Sequence, residues 1–414
     1  MDRIGVGLIG TGFMGKCHAM AYGAVRAVYC DVPVIDRVAL CDVDAGHAAT
    51  CAQAFGFARS TTDWRDLLSD PSIDLISITS PNALHREMAV AALEAGKHVW
   101  CEKPMALTLA DAEAMAAAAA RAGKVTALGY AYLQNPAVQE ACRLIADGAI
   151  GTPFDFRGSV DEDYMADPAL PWSWRLRAAD AGLGTLGDLT VHLISLARAL
   201  MGDIVRLSAM VDTVHAERPL PGGGTAAVEN DDIAHALVRF ASGARGTLAS
   251  SRVAHGRKNG LRIEVHGSKG MLWLDNERMN ELNLYVAEGP AQGRGFRRIL
   301  SGPAHGDYAR LCPAPGHGLG FNELKVIELA EILRAMRGTP SRAVGFAEGL
   351  RIEQVIHAFV ASSSEGDGWP SAEGRHPRAV ITHPPPRPGT PPVPRSRGAP
   401  GGSGPPSAGS ARGR

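Results

Sequence analysis

The stretch IGVGLIGTGFMG, residues 4–15, decides the fold of this chain. It joins a short apolar run, typical of a buried strand, to the start of a helix predicted over Phe13–Val28. The motif glycines have the spacing Gly-x-Gly-x-x-Gly. The first permits a tight turn, the second lets a pyrophosphate approach the backbone and the third lets the helix pack on the sheet. We therefore predict a dinucleotide site formed by Gly10, Gly12, Phe13, Met14 and Gly15.

Apolar strand-like runs alternate with helical patterns up to about residue 130. This alternation predicts an α/β fold with a doubly wound, parallel Rossmann sheet. Beyond it, strand-like runs follow one another without helices between them, which predicts an α+β unit with a large, mainly antiparallel sheet. The predicted organisation is a dinucleotide-binding Rossmann domain at 1–130 and an α+β domain at 131–370.

Composition separates residues 371–414 from the rest of the chain. Residues 375–414 hold seven arginines and no acidic residue, in a background of proline, glycine and serine. A segment of this composition cannot bury a core, so we predict a disordered tail.

Charge and cysteine content exclude several classes of protein. The formal net charge is −1, and the chain without its tail is mildly acidic, which gives no reason to expect a nucleic-acid or phospholipid partner. No basic leader precedes an apolar segment and no apolar run reaches about 18 residues, so we expect neither a signal peptide nor a membrane span. The seven cysteines form no Cys-x-x-Cys pair, which favours reduced thiols in a cytoplasmic protein. Metal-ligand spacing is also missing from the sequence.

Asp42 ends the second strand-like run of the chain. A carboxylate at this position can bind both hydroxyls of an adenosine ribose and would repel a 2′-phosphate, so it predicts NAD as the cofactor over NADP. The distance from Gly15 to Asp42 is longer than the motif usually shows, and we assign the excess to an extra loop at residues 29–36. A solvated acid at a strand end is the alternative interpretation of Asp42.

Three further clusters follow in order along the chain. Thr79, Pro81, Asn82 and His85 lie after the next strand, Glu102-Lys103-Pro104 after the one beyond it, and Asp188 and His192 close the segment GLGTLGDLTVH, residues 182–192. Together with the glycine loop, these clusters resemble the Gfo/Idh/MocA oxidoreductase family, which includes inositol, sugar and levoglucosan dehydrogenases. The resemblance covers about residues 3–370.

The resemblance implies roles for these residues. Cofactor contacts are implied for Thr79, Pro81, Asn82, His85, Glu102 and Lys103, and catalysis for Lys103, Asp188 and His192. It also implies a cis Lys103–Pro104 bond. One position departs from the family pattern, because Ser195 stands where relatives often carry a further Asp.

Physical chemistry agrees with the catalytic assignments. Lys103 ends a parallel strand, where open α/β sheets bind their ligands, and an amine there can polarise or deprotonate a hydroxyl. Asp188 and His192, four residues apart, project from one helix face, and histidine suits proton transfer near neutral pH. Whether Lys103 or His192 is the base stays open, because coupled groups share their titration.

Aromatic and basic residues indicate where a polyhydroxylated substrate binds. The segment PWSWR, residues 171–175, offers Trp174 for stacking on sugar C–H faces and Arg175 for hydrogen bonds to hydroxyls. Tyr132 lies at the predicted junction of the two domains. Core packing is the alternative for the aromatic residues. The predicted substrate contacts are Lys103, Tyr132, Trp174, Arg175, Asp188 and His192.

The predicted function is an NAD-dependent dehydrogenase that moves a hydride from a secondary hydroxyl of a sugar, anhydrosugar or cyclitol to the nicotinamide. The resemblance leaves three alternatives: a redox-neutral NAD-using glycosidase, a non-catalytic NAD(P)-responsive binding protein, and an NADP-linked reductase of non-sugar carbonyls. Asp42 and the Trp/Arg segment argue against the last. Family habits and the open edges of a wide sheet imply a homodimer or homotetramer.

Overall fold

The computed structural model describes residues 2–365 and the pair Ala379–Val380. Apart from that pair, the predicted disordered tail lies outside the described residues. The fold class is confirmed: a six-stranded parallel sheet is followed by a nine-stranded, mainly antiparallel sheet.

Six strands form the first sheet, and all of them run parallel. In chain order they are β1 (Arg3–Ile9), β2 (Val34–Cys41), β3 (Arg59–Thr61), β4 (Leu75–Ile78), β5 (His98–Cys101) and β6 (Thr126–Leu128). The connecting helices are α1 (Phe13–Val28), α2 (Ala45–Phe55), α3 (Arg65–Ser69), α4 (His85–Glu94) and α5 (Leu109–Ala122). The spatial order is β3-β2-β1-β4-β5-β6, so the strand order reverses between β1 and β4. Ligands bind at the carboxyl ends of the strands at such a point.

Two features of this sheet differ from the prediction. The extra loop is shorter than residues 29–36, because β2 begins at Val34, and Tyr29 anchors the loop as a fully buried side chain. Helix α2 and strand β3 were not predicted. Only Ala48 and Ala52 of α2 are buried, so the helix has no strong apolar stripe to reveal it.

Eleven further strands follow among the described residues. They are β7 (Pro153–Asp161), β8 (Ile204–Asp212), β9 (Glu217–Pro219), β10 (Thr225–Ala227), β11 (Ile233–Phe240), β12 (Arg245–Ser251), β13 (Gly260–Gly267), β14 (Gly270–Asp275), β15 (Glu281–Val286), β16 (Arg297–Leu300) and β17 (Ala379–Val380). Strands β9 and β10 form a separate pair, and the other nine have the order β16-β15-β14-β13-β7-β12-β11-β8-β17. Neighbouring strands are antiparallel except β7 and β12. Strands β9, β10, β15 and β16 were not predicted, and β16 has no buried residue.

In the described residues beyond 130 there are six helices: α6 (Pro136–Ala146), α7 (Ala178–Ala181), α8 (Val191–Met201), α9 (Tyr308–Leu311), α10 (Phe321–Met336) and α11 (Phe346–Glu365). Helices α6, α8 and α11 cover one face of the sheet. Helix α10 instead returns to the first sheet and packs on α1, where Leu329 and Leu333 join its core. A second core cluster contains residues of both sheets, including Ile78 of β4 and Ile263 of β13. The two halves of the chain therefore share buried surface beside the carboxyl ends of the parallel strands.

Candidate active site

The glycine loop between β1 and α1 has the geometry of a phosphate cradle. Gly10 has a φ of +93°, and a Cβ at Gly15 would lie 2.2 Å from the Gly10 oxygen, so both positions exclude larger residues. A Cβ at Gly12 would meet nothing within 4 Å, which leaves open space beside the backbone. No described side chain caps the amino end of α1, where Phe13 and Met14 lie. The loop therefore fits a pyrophosphate bound by backbone N–H groups.

Asp42 lies beside this loop at the carboxyl end of β2. Its Oδ2 accepts hydrogen bonds from the backbone N–H of Thr11, at 3.0 Å, and from the Thr11 hydroxyl. Its Oδ1 accepts from the Val43 N–H at 2.8 Å. The contacts hold a partly exposed carboxylate next to the phosphate cradle. A dinucleotide with a free ribose diol fits this arrangement, whereas a 2′-phosphate would meet a like charge.

The residues that follow β4 hold the loop in place. The Thr79 hydroxyl lies 3.0 Å from the main-chain oxygens of both Ile9 and Gly10. Pro81 precedes a 3₁₀ turn, Asn82–Leu84, and Asn82 Nδ2 donates to the Ala181 oxygen at 3.0 Å. This hydrogen bond joins the end of β4 to helix α7, which follows the first sheet in the chain.

His85, whose cofactor contact stays a prediction, has a side chain that faces main-chain oxygens. The side chain is buried, and its ring nitrogens lie 2.9 Å from the Pro104 oxygen and 3.1 Å from the Ser80 oxygen. Burial lowers the pKa of His85 below its ordinary value. Because both ring nitrogens face main-chain oxygens, the residue braces the two strand ends.

Glu102 is likewise buried, and protein groups surround its carboxylate. His18 Nε2 lies 2.9 Å from Oε1, and Lys325 Nζ donates to the same oxygen at 2.6 Å. Burial alone would raise the pKa of Glu102, but Lys325 and His18 hold it well below the usual range. The Glu102 carboxylate therefore faces inward, towards His18 and Lys325, and its cofactor contact stays a prediction.

Lys103 and Asp188 form the central ion pair of the site. The Lys103 ammonium lies 2.5 Å from Asp188 Oδ1 and 2.8 Å from the Asp188 main-chain oxygen. The Tyr164 hydroxyl donates to Asp188 Oδ2 at 2.7 Å. Burial opposes ionisation of Asp188, but Lys103 and Tyr164 hold its pKa well below the ordinary value. The predicted cis Lys103–Pro104 bond is confirmed.

Asp188 does not lie in a regular α-helix. It belongs to a π-helical turn, Leu186–Thr190, that leads into α8. Single π-helical turns are frequent at functional sites, because they redirect side chains without breaking the helix.

His192 lies against two tyrosines in the first turn of α8. Its ring centroid is 4.8 Å from that of Tyr132 and 5.9 Å from that of Tyr130, and its Nδ1 is buried with no hydrogen-bond partner among the described residues. Burial and the Lys103 charge lower the pKa of His192 to about 3, so the ring is neutral at pH 7. Ser195 donates to the His192 main-chain oxygen at 2.7 Å. The serine therefore contacts the helix backbone and not the ring.

Three residues of this neighbourhood escaped the sequence reasoning. Tyr164 contacts Asp188, and Asn259 Nδ2 donates to the Tyr132 hydroxyl at 2.9 Å. The third residue is Glu162, whose carboxyl interacts electrostatically with Asp188 and Lys103. Burial raises the pKa of Glu162 to about 7. The run Asp-Glu-Asp-Tyr, residues 161–164, at a strand end was the available signal for two of them. Nothing in the sequence marks Asn259.

Trp174 and Arg175 lie in a separate 3₁₀ turn. The Arg175 guanidinium carbon is 4.7 Å from the Trp174 ring centroid, and the Arg175 main-chain oxygen accepts from Asn230 Nδ2 at 2.8 Å. In the described part of the chain, no hydrogen bond or ring contact joins these two residues to Lys103, Asp188 or His192. In the described residues, the predicted substrate contacts Trp174 and Arg175 therefore have no direct link to the Lys103–Asp188 ion pair.

Two further properties bear on the kind of protein. Among the described residues, no helix combines the length and apolar character that crossing a bilayer needs. The same residues hold no group of three or more His, Cys, Asp or Glu side chains able to bind a metal ion. All seven cysteines are free thiols.

Family models match both halves of the chain. Residues 4–130 match the model described as an oxidoreductase family with an NAD-binding Rossmann fold, and residues 138–273 match the GFO/IDH/MocA C-terminal domain. Levoglucosan dehydrogenase of Pseudarthrobacter phenanthrenivorans is 39% identical over 383 residues, which are 89% of this chain and 98% of that protein. D-apiose dehydrogenase of Paraburkholderia graminis is 32% identical over 67% of this chain and 68% of its own length.

A solved structure has the same architecture. Levoglucosan dehydrogenase in complex with NADH and levoglucosan superposes with a TM-score of 0.87, at 37% identity, and the match covers 92% of this chain and all of that one. Sequence and structure agree over nearly the whole described part. The chain belongs to the Gfo/Idh/MocA family of oxidoreductases, whose amino-terminal domain is an NAD-binding Rossmann fold.

Proposed function

We propose that the protein is an NAD-dependent dehydrogenase that oxidises a secondary hydroxyl of a sugar, an anhydrosugar or a cyclitol. The observation that carries the proposal is the Lys103–Asp188 pair, with Nζ and Oδ1 2.5 Å apart, in the same site as the buried neutral ring of His192. Alcohol oxidation needs one group that polarises the hydroxyl and one that takes its proton. The relatives named levoglucosan dehydrogenase and D-apiose dehydrogenase support this substrate class.

The proposed cofactor site lies along the carboxyl ends of β1 and β2. The backbone N–H groups at the start of α1 hold the pyrophosphate, and Asp42 binds the adenosine ribose and favours NAD over NADP. We propose that residues 1–130 supply this site and that residues 131–370 supply the substrate site and the subunit contacts. When bound, the nicotinamide supplies the hydride acceptor.

The chain's own residues handle the proton. As the C–H electron pair of the carbinol carbon leaves as hydride, the hydroxyl proton must move to the protein. Lys103, held by Asp188, donates a hydrogen bond to the hydroxyl oxygen and stabilises the developing alkoxide. We assign proton acceptance to His192, because its ring is neutral and the Lys103 side chain is engaged in its ion pair with Asp188. Tyr132 packs on the His192 ring and lines the substrate side of the site. We assign Trp174 and Arg175 to the outer rim of the substrate site.

The test is NADH formation by the purified full chain with NAD and, separately, NADP. The panel contains levoglucosan, inositols, free aldoses and simple glycosides. We expect NAD-linked reduction with one subset of the panel and much weaker reduction of NADP. Sugar release from a glycoside without NADH build-up would replace this proposal with a redox-neutral glycosidase. NAD binding without turnover of any compound would favour a binding protein.

We further propose that the protein is a cytoplasmic homodimer or homotetramer. Met210 and Leu237 are exposed on neighbouring strands of the nine-stranded sheet, on the face opposite its buried side chains. Apolar residues on such a face favour contact with a second copy. Free thiols throughout the described chain are compatible with a reducing compartment. Light scattering that finds only monomer at micromolar concentration would contradict the oligomer.

A further inference from the structure

Helix α10 belongs to the second half of the chain but buries a lysine beside the first sheet. Lys325 has no exposed surface, and its ammonium lies 2.6 Å from Glu102 Oε1 and 2.9 Å from Glu328 Oε2. One turn earlier, Phe321 stacks on Phe13 of the glycine loop at 6.1 Å. The proposed proton and hydride transfers use neither Lys325 nor Glu328. A buried lysine at this position therefore needs another explanation.

The Glu102 carboxylate lies where two strand ends of the site meet. Its Oε2 is 3.4 Å from the Lys103 backbone nitrogen, and a Cβ at Gly129 would lie 2.3 Å from the same oxygen. Lys103 carries the amine of the central ion pair, and Gly129 precedes Tyr130, whose ring contacts His192 at 5.9 Å. A shift of this carboxylate would displace both the lysine and the wall behind the histidine.

Lys325 is the cation that compensates Glu102. The other side chain in contact with the carboxylate is His18, whose ring also stacks on Trp100 at 3.5 Å and whose Nδ1 faces Ser77 Oγ at 3.1 Å. Burial lowers the pKa of His18 to about 4, so this histidine brings no charge at pH 7. In the described part of the chain, Lys325 is thus the one charged partner in hydrogen-bond contact with Glu102.

We propose that Lys325 is a positioning residue for the reaction: its ammonium compensates the buried charge of Glu102 and so fixes the strand ends that carry Lys103 and Tyr130. This inference rests on the proposed function. Removing one partner of a buried ion pair leaves an uncompensated charge, whereas replacing both partners by neutral groups is often tolerated. The role of Lys325 is therefore one of charge towards Glu102. Burial raises the pKa of its other partner, Glu328, to about 7, so Glu328 takes up a proton readily when the cation is removed, and removal of the Glu102 charge should make Lys325 dispensable.

The test compares three variants of the full chain. Lys325→Met removes the cation, Lys325→Met/Glu102→Gln removes both charges, and Glu328→Gln is the matched control that keeps the Lys325–Glu102 contact. Activity is measured with NAD and levoglucosan, or with the panel compound of highest rate. We expect Lys325→Met to lose at least about tenfold in kcat with little change in sugar KM, the double variant to recover most of that loss, and the control to stay near wild type.

A kcat of Lys325→Met close to wild type would overturn the proposal, and so would a double variant no faster than the single one. A role limited to packing predicts the second result, because Glu102→Gln restores no volume at residue 325. ¹⁵N-histidine NMR at pH 7 gives a readout without substrate: His18 should be neutral in the wild type, an imidazolium in Lys325→Met and neutral again in the double variant. If the wild type fails to reduce NAD with every compound of the panel, the proposed function fails. The ¹⁵N signals of His18 alone then decide whether Lys325 compensates the Glu102 charge.

Discussion

The Lys103 ammonium lies 2.5 Å from Oδ1 of Asp188, a residue 85 positions further along the chain. Lys103 also donates to the Asp188 main-chain oxygen at 2.8 Å, so the amine is held at two points. A charge-assisted contact of this kind fixes the direction of a side chain as well as its charge. The first sheet supplies the amine and the π-helical turn supplies its counter-charge, so neither half of the chain forms this ion pair alone.

Replacing Lys103 with methionine removes the ammonium and keeps the length of the side chain. We expect NAD-linked kcat to fall at least about 100-fold, because the hydroxyl loses the group that polarises it. Lys124→Met is the matched control, since Lys124 lies just before β6, at the opposite end of the strands. Steady-state NADH formation measures both variants. A near-normal kcat in Lys103→Met would remove this lysine from the mechanism.

Tyr164 was not predicted from the sequence, yet its hydroxyl donates to the second oxygen of Asp188 at 2.7 Å. A hydrogen bond to a charged group contributes about 1.5–3 kcal/mol, so Tyr164→Phe should lower kcat roughly tenfold or more while the protein stays folded. Tyr285→Phe is the control, because Tyr285 lies on β15 and contacts Phe296. Equal kcat in the two variants would show that Asp188 needs no second partner.

Local patterns account for the parts of the structure that the sequence predicted. The glycine loop and most of the strands and helices of the first sheet depend on residues close together in the chain, and the family resemblance implied the cis Lys103–Pro104 bond. Helix α5 begins after a side-chain cap from Thr108 and ends at the left-handed Gly123, and both are local signals that a sequence shows.

Long-range packing explains what the sequence did not predict. Glu102 belongs to a recognisable motif, but only the return of α10 to the first sheet brings Lys325, 223 positions away, to its carboxylate. The pairing of Asp188 with Lys103 likewise depends on how the two halves of the chain meet. A four-residue spacing shows that Asp188 and His192 are neighbours on a helix, but it cannot show which of the two pairs with the charge of Lys103.

Acid sensitivity should reveal the neutral state of His192. Burial and Lys103 lower its pKa to about 3 from an ordinary 6.5, so the folded state binds the proton less readily than the unfolded chain. The contribution of this residue to stability is full above pH 6.5 and falls as the pH drops towards 3. Between pH 7 and pH 5, the wild type should lose about 2 kcal/mol more unfolding free energy than His192→Asn.

Urea unfolding at the two pH values measures this difference. His47→Asn is the control, because His47 has an exposed side chain on α2, and it should lose as much stability as the wild type. The comparison of pH slopes cancels the many other titrating groups, since they are shared by all three proteins. Identical slopes for the wild type and His192→Asn would mean that the folded protein protonates His192 as easily as the unfolded chain does.

Cofactor choice should depend on Asp42. Asp42→Ser removes the negative charge beside the glycine loop, so the repulsion of a 2′-phosphate disappears and the ribose diol of NAD loses an acceptor. We expect the ratio of kcat/KM for NADP to that for NAD to rise at least about tenfold, because both changes act in the same direction. Asp44→Asn is the matched control: Asp44 caps α2 through the His47 N–H at 2.7 Å, and asparagine preserves such a cap. If the ratio stayed unchanged in Asp42→Ser, the carboxylate would only hold the loop through its hydrogen bonds from Thr11 and Val43. Another residue would then have to discriminate between the two dinucleotides.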